Sequence, residues 1–253
     1  KYVDTNEDKE EVANLFGKYD FLAMPVVDGE TRLVGIITFD DVIDVIQDEN
    51  TEDIEKMAAL IPSEKPYLKT TVFETFKKRI PWLLLLMISA TFTGKIIASF
   101  EKTLSACVAL TAFIPMLMDT GGNSGGQSSV TIIRSLSLND ISIKDIFKII
   151  RKEFFVALLC GVALAAANFV KMMIVDRGTI ISSGQEPVAV AIVVSLTLIA
   201  SVVCAKLIGC TLPIFAKRVG FDPAVMASPF ITTIVDAISL MIYFRIAIHI
   251  LHF

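Results

Sequence analysis

The stretch Pro115–Val130, PMLMDTGGNSGGQSSV, decides how this chain is read. It lies in one of the most apolar parts of the sequence, yet it gathers glycines, amides, hydroxyls and one carboxylate. In a soluble protein it would be a loop. At membrane depth, Pro115 and the four glycines argue against a continuous helix. Unwound backbone is tolerated there only where protein buries it or where it lines a water-filled cavity. Many transporters present ion-binding oxygens in this way, and the Asn123 and Gln127 amides would add to them. The competing reading is a glycine-mediated helix contact, because Gly121 and Gly125 form a GxxxG.

The surrounding chain favours the membrane. Of 253 residues, 54% are hydrophobic, and the mean hydropathy is +0.66. Five apolar segments follow one another, at roughly 80–100, 104–134, 153–175, 187–216 and 224–250, against about 20 residues needed to cross a bilayer. The second is interrupted by the glycine cluster and the fourth by GCTLP. Basic residues cluster at Lys77–Arg79, between Arg134 and Lys152, and at Lys217 and Arg218, which alternate correctly for the cytoplasmic side. The N-terminal region is therefore expected in the cytoplasm and the C-terminus outside.

Charge divides the chain further. Residues 1–60 carry 16 acidic and 5 basic side chains; the remainder carries 11 and 18. Within the front part, EEVANLFGKYD reads as a helix, AMPVVD and RLVGIIT as strands around a GET turn, and FDDVIDVIQDE as a second helix. DENTEDIEKMAAL then reads as a charged amphipathic helix, IPSEKP as a break, and YLKTTVFETFKKR as a further helix. The expected organisation is a soluble α/β unit at 1–47, a connecting helical segment at 48–79 and an all-α polytopic membrane domain of five transmembrane helices at 80–253. The chain opens as if in the middle of a domain, so a fragment is expected. No basic patch is interleaved with aromatics, so nucleic-acid binding is not expected. No nucleophile–base constellation stands out, so an enzyme is the least favoured class. The four cysteines, Cys107, Cys160, Cys204 and Cys210, form no CxxC pair and read as small hydrophobes within helices.

Charged side chains inside an apolar span are costly and mark function by default. Asp236, in SPFITTIVDAISLMIYF, is the sharpest case, with Thr232 and Thr233 one turn before it. It reads as a carboxylate lining a cation path; the alternative is an ion pair with Lys95 or Lys206. Otherwise Lys95, Lys171 and Lys206 read as snorkelling or paired. His249 and His252 read as interfacial, with a two-histidine metal site as the alternative. Asp119 receives no role. Oxygen ligands without nearby Cys or His suit a hard cation such as Mg²⁺, Ca²⁺ or Mn²⁺. One Asp per chain is thin for a divalent ion, and a twofold dimer would bring two together.

The acidic run DDVIDVIQDENTED offers a second site. Unit charges about 6 Å apart at an effective dielectric near 20 repel by roughly 3 kcal/mol, and a divalent cation between them reverses the sign. Such a run would separate without the ion and close with it. A solvated acidic helix is the plainer alternative.

Two motifs converge on one family. GIITFDDVIDVI, Gly35–Ile46, resembles the second half of a CBS repeat. PMLMDTGGNSGGQSSVTIIR, followed by FDPAVMASPFITTIVDAISLMIY, resembles the MgtE family of magnesium channels, as does the order of a CBS unit, a connecting plug helix and five spans. The resemblance covers essentially the whole chain. It implies a homodimeric Mg²⁺-selective channel in the cell membrane, with its pore at the dimer interface between spans two and five. Asp236 matches the family's pore carboxylate, Asn123 its pore amide, and Thr232 a position that offers its carbonyl. Regulatory Mg²⁺ in the acidic CBS and plug region would close the pore, which falls on Asp41, Glu49, Glu52, Asp53 and Asp222. CBS domains of the family can bind ATP, and Thr38 and Asp41 match the general nucleotide positions, so Asp41 has two competing assignments. Alternatives to a gated channel are a coupled divalent-cation carrier and a nucleotide-sensing membrane receptor without conduction.

Overall fold

The computed structural model describes residues 1–63, 65–226 and 228–252. The front unit is a three-stranded sheet with two helices. Strand β1, Val3–Asp4, lies parallel to β2, Ala23–Val27, which pairs antiparallel with β3, Leu33–Thr38. Helix α1, Lys9–Tyr19, begins where the Asp8 carboxylate accepts the Glu10 and Glu11 amides, satisfying N–H groups that no turn of the helix can reach. The β2–β3 turn is closed by Asp28, whose carboxylate accepts the Glu30 and Arg32 amides at 2.9 Å each. The sequence pattern anticipated both helices and the hairpin; the two-residue β1 was too short to show a period. Val12 and Phe16 of α1 pack with Val3, Met24 and Val42 into the core of this unit.

Helix α2 runs without interruption from Phe39 to Met57. FDDVIDVIQDE and DENTEDIEKMAAL, read as two successive helices, are one, because nothing in Gln47–Glu52 is a helix breaker and Asn50 bonds back to the Ile46 carbonyl. Likewise α3, Val72–Ser99, joins the expected connector helix to the first apolar segment as one rod, capped by a Thr71–Glu74 capping box. At 1.5 Å per residue it is about 42 Å long. Both helices cross positions 47–48 and 79–80 unbroken.

The helical remainder consists of α4, Glu101–Ala106, α5, Ile114–Ser137, α6, Ile146–Lys171, α7, Arg177–Ser182, α8, Pro187–Val219, and α9, Ser228–Leu251. Helix α8 is the hub: it packs on α5, α6 and α9, and half of its apolar window is buried against 6% for α3. Helix α3 touches α9 and leaves Leu83, Leu84, Leu85, Met87, Ile88 and Phe92 exposed, an apolar surface suited to lipid rather than water. Among the described residues, four helical stretches are long and apolar enough to cross a membrane: Val72–Ser99, Ile143–Ser182, Pro187–Val219 and Pro223–Leu251. The molecule is thus mainly helical, with a small sheet at its front.

The glycine cluster does not break its helix. Helix α5 is continuous through Gly121, Gly122, Gly125 and Gly126, and Pro115 sits at its first turn, where a missing N–H costs nothing. The irregular segment lies upstream, as a 3-10 turn over Val108–Phe113 after α4. The physical reason is packing. A Cβ on Gly121 would press on Val235, one on Gly122 on Thr232 and one on Gly125 on Ile231. Each glycine costs a helix about 1 kcal/mol relative to Ala, and here it admits α9 and α8 to near-backbone distance. The GxxxG alternative describes this element better than the broken span does. Helix α8 also runs through GCTLP. Pro213 leaves the Gly209 carbonyl without its helical donor, yet the helix continues to Val219.

Candidate functional site

On α5 the exposed positions Asp119, Asn123, Gln127 and Thr131 recur every four residues and form one polar stripe along the helix. Helix α9 lies alongside in the opposite direction, with Gly122 against Thr232, Gly121 against Val235 and Gly125 against Ile231. This register sets Asn123 beside the level of Thr232. Thr232 and Asp236 are a turn apart on α9 and half-buried. The Thr232 hydroxyl donates to the Pro229 carbonyl at 2.9 Å, and that of Thr233 to the same oxygen at 3.2 Å. Asn123, Thr232 and Asp236 therefore lie at neighbouring levels of the two packed helices α5 and α9.

Asp236 pairs with no basic side chain among the described residues. Lys206 is buried on α8, and its Nζ lies 3.4 Å from Ser128 Oγ, which in turn donates to Glu153 at 2.6 Å. Lys95 is exposed on α3, and Lys171 pairs with Asp176 at 3.0 Å. The ion-pair alternative for Asp236 thus finds no support, and Lys206 is answered by Glu153 through Ser128 instead.

A second constellation forms where α2 meets one end of the bundle. Glu49 and Asp53 of α2, Glu10 of α1 and Asp222 line a cavity of about 340 Å³ together with Lys56, Ser137 and Lys217. Ser137 Oγ stands 3.1 Å from Glu10 and 3.2 Å from Asp53, but it has one proton to donate, so the two carboxylates compete for it. Burial pushes the carboxyls of Glu10 and Asp53 above their ordinary range, against the help each draws from Ser137. Lys56 Nζ bridges Glu52 and Asp222 at 2.5 Å each. Burial opposes its charge, but the hydrogen bonds to Asp222 and Glu52 outweigh that, and its pKa rises well above the usual lysine value. Lys9 pairs with Glu49 at 2.8 Å. Arg134, at the end of α5, donates to Asn50 of α2 at 2.9 Å, so the junction grips the same helix that carries the polar stripe.

Of the residues singled out in the sequence, Glu49, Asp53 and Asp222 converge here, and Glu52 joins through Lys56. Asp41 and Thr38 stand apart from this cavity. The Asp41 carboxylate accepts the Thr38 hydroxyl and amide, at 2.5 and 3.0 Å, and these bonds hold its pKa below the usual carboxylate range. Its evident role is to cap α2. Among the described residues no group of three or more His, Cys, Asp or Glu side chains is disposed to hold a metal; Lys56 and Ser137 stand between the carboxylates. Glu10, Ser137 and Lys9 carried no signal in the sequence, because only tertiary contact brings them to α2. Lys56 carried one: it is the only basic residue between Arg32 and Leu60.

The MgtE family model, described as a divalent cation transporter, matches residues 114–246, and the CBS domain model matches residues 1–48. The chain is similar to proteins named Magnesium transporter MgtE. It is 39% identical to that of Thermus thermophilus over 246 residues, 97% of this chain and 52% of the relative. It is 36% identical to that of Bacillus subtilis over 254 residues, 99% of this chain and 53% of the relative. It is 34% identical to that of Enterococcus faecalis over 245 residues, 97% and 51%. The chain spans about half the length of these curated relatives. The family model covers α5 through α8 and most of α9, including the two helices that carry Asn123, Thr232 and Asp236, and on that basis the chain belongs to the MgtE family of divalent cation transporters.

Proposed function

We propose that the chain forms the conducting part of a Mg²⁺-selective channel, with the pore along α5 and α9 at the axis of a homodimer. The observation that carries this reading is the polar stripe of α5 beside the unpaired Asp236. Neither lipid nor protein of the same chain is a suitable neighbour for it. Helix α5 would be a fifth span, too polar to qualify by hydropathy because one face is wetted. Asp236 would supply the fixed negative charge, and Asn123 and the Thr232 carbonyl would bind the water shell of an ion that sheds water reluctantly. Two copies would supply two Asp236 carboxylates, close to the charge of one divalent cation.

The front of the chain supports a gating role. In this reading residues 1–47 are a partial CBS unit, 48–79 a connecting plug segment and 80–253 the membrane domain. Cytosolic Mg²⁺ at Glu49, Glu52, Asp53 and Asp222 would draw α2 against the end of α5 and close the pore. Asp41 is a weaker member of that set, since capping already engages its carboxylate, and ATP at Thr38 and Asp41 would involve the remainder of a CBS pair. The positive clusters support a front unit in the cytoplasm and a C-terminus outside the cell membrane.

Vesicles reconstituted with the chain and loaded with a Mg²⁺-sensitive dye test the reading. Wild type should admit Mg²⁺, and Asp236→Ala should reduce influx to the protein-free rate. Unimpaired, Mg²⁺-selective influx through Asp236→Ala would sink the pore assignment. Single-channel currents separate a channel from a coupled carrier, and a silent wild type would favour a receptor.

A further inference from the structure

We infer that Asp119 is a second pore-facing carboxylate, level with Asp236, so that a twofold pore carries four acidic side chains in one tier rather than two. The inference rests on the α5–α9 pore reading and extends it to a residue that reading leaves without a role.

Three observations place Asp119. It is exposed on the same face of α5 as Asn123, Gln127 and Thr131. The antiparallel contacts of Gly121 with Val235 and Gly122 with Thr232 set it at the height of Asp236 on the neighbouring helix. Asp236 is itself only half-buried, so it is partly uncovered at the same level.

An interfacial position does not fit. Beyond Asp236, α9 continues for about 22 Å to Leu251 at 1.5 Å per residue. On that side lies the apolar cluster of Leu110, Phe113, Leu117, Tyr243 and Phe244, tied by the bond from the Tyr243 hydroxyl to the Leu110 carbonyl at 2.9 Å. Asp119 therefore sits deep in the bundle while remaining uncovered by its own chain. At that depth an uncovered carboxylate has only water or a second copy for a neighbour. It forms no ion pair among the described residues, so its charge is available to a passing cation. Rings of acidic side chains are a general device for admitting cations. Doubling the ring would concentrate divalent over monovalent ions, because attraction grows with the product of the charges.

The test compares wild type, Asp119→Asn, Asp119→Glu and Asp236→Asn in dye-loaded vesicles. Asp119→Asn keeps size and polarity and removes charge. It should lower Mg²⁺ influx by about tenfold at low Mg²⁺, the lower end of electrostatic focusing. The deficit should shrink at saturating Mg²⁺ and at high ionic strength, which a purely structural role would not produce. Asp119→Glu should restore most of the influx, and the preference for Mg²⁺ over Na⁺ should fall in Asp119→Asn. Equal influx and selectivity in wild type and Asp119→Asn, with Asp236→Asn inactive, would overturn this inference and leave the pore reading standing. A deficit in Asp119→Asn that ignores ionic strength and is not rescued by Glu would also overturn it. A wild type that does not conduct, or an Asp236→Asn that does, would overturn the pore reading and this inference with it.

Discussion

A lysine buried among helices is tolerated only if its charge is answered. Lys206 reaches Ser128, and Ser128 donates to Glu153, so three helices share one charge system. Removing one member of a buried charge pair leaves the other uncompensated, at a cost of about 3–5 kcal/mol when the pair is direct. With Ser128 intervening we expect a smaller loss. Lys206→Met should lower the thermal midpoint in detergent, and adding Glu153→Gln should recover much of it. The double-mutant cycle should show a coupling of about 0.5–3 kcal/mol; additive effects would show that the two charges act separately. The sequence displayed Lys206 and Asp236 as unplaced charges of opposite sign on successive apolar segments. Pairing them was reasonable, and only the helix arrangement shows that Lys206 faces α5 and α6.

The same limit holds for whole elements. Hydrophobic length found the apolar helices, and the Thr-x-x-Asp and Thr-x-x-Glu pattern marks the starts of α2 and α3. The glycines of α5 were misjudged because local propensity counts their cost and cannot count what packs against them. Gly209 of α8 makes the point testable. A Cβ there would collide with the Gly125 carbonyl, a backbone atom that no rotamer can move aside. Gly209→Ala should push α5 and α8 apart and destabilise the bundle by about 1–3 kcal/mol. Gly94→Ala, where a Cβ meets nothing within 4 Å, should be neutral or stabilising by up to about 1 kcal/mol. Thermal unfolding of the two variants checks the contrast, and equal midpoints would refute it.

The whole molecule turns on the junction between α2 and the bundle. Glu10 and Asp53 have pKa values raised by burial, so the closed junction binds more protons than the open one. Linkage then fixes the sign: closure is favoured at low pH and weakens as pH rises from the ordinary carboxyl values through the raised ones. Lys56, with its pKa raised, stays charged throughout that window. Without divalent cations, amide protection in α1 and the second half of α2 should be greater at pH 5 than at pH 7.5, after correction for intrinsic exchange. Mg²⁺ at pH 7.5 should restore it, because a cation relieves the same repulsion as a proton. Asp53→Asn should flatten both responses. Protection that ignores pH and Mg²⁺ would remove the junction as a sensor.

By itself the sequence determined the class of molecule: a small acidic α/β front followed by apolar helices, with Asp236 as the charge that hydrocarbon would not accept. Periodicity, length and charge placement are local properties, and a chain carries them before it folds. Tertiary structure decided the rest. It kept α5 whole, shifted its irregular turn to Val108–Phe113, gave Lys206 to Glu153, brought Glu10 and Ser137 to the acidic helix and set Asp119 level with Asp236. Each depends on which surfaces meet. That is settled by the shape left where glycines remove side chains and by the need to answer buried charge, and neither is written in a single segment.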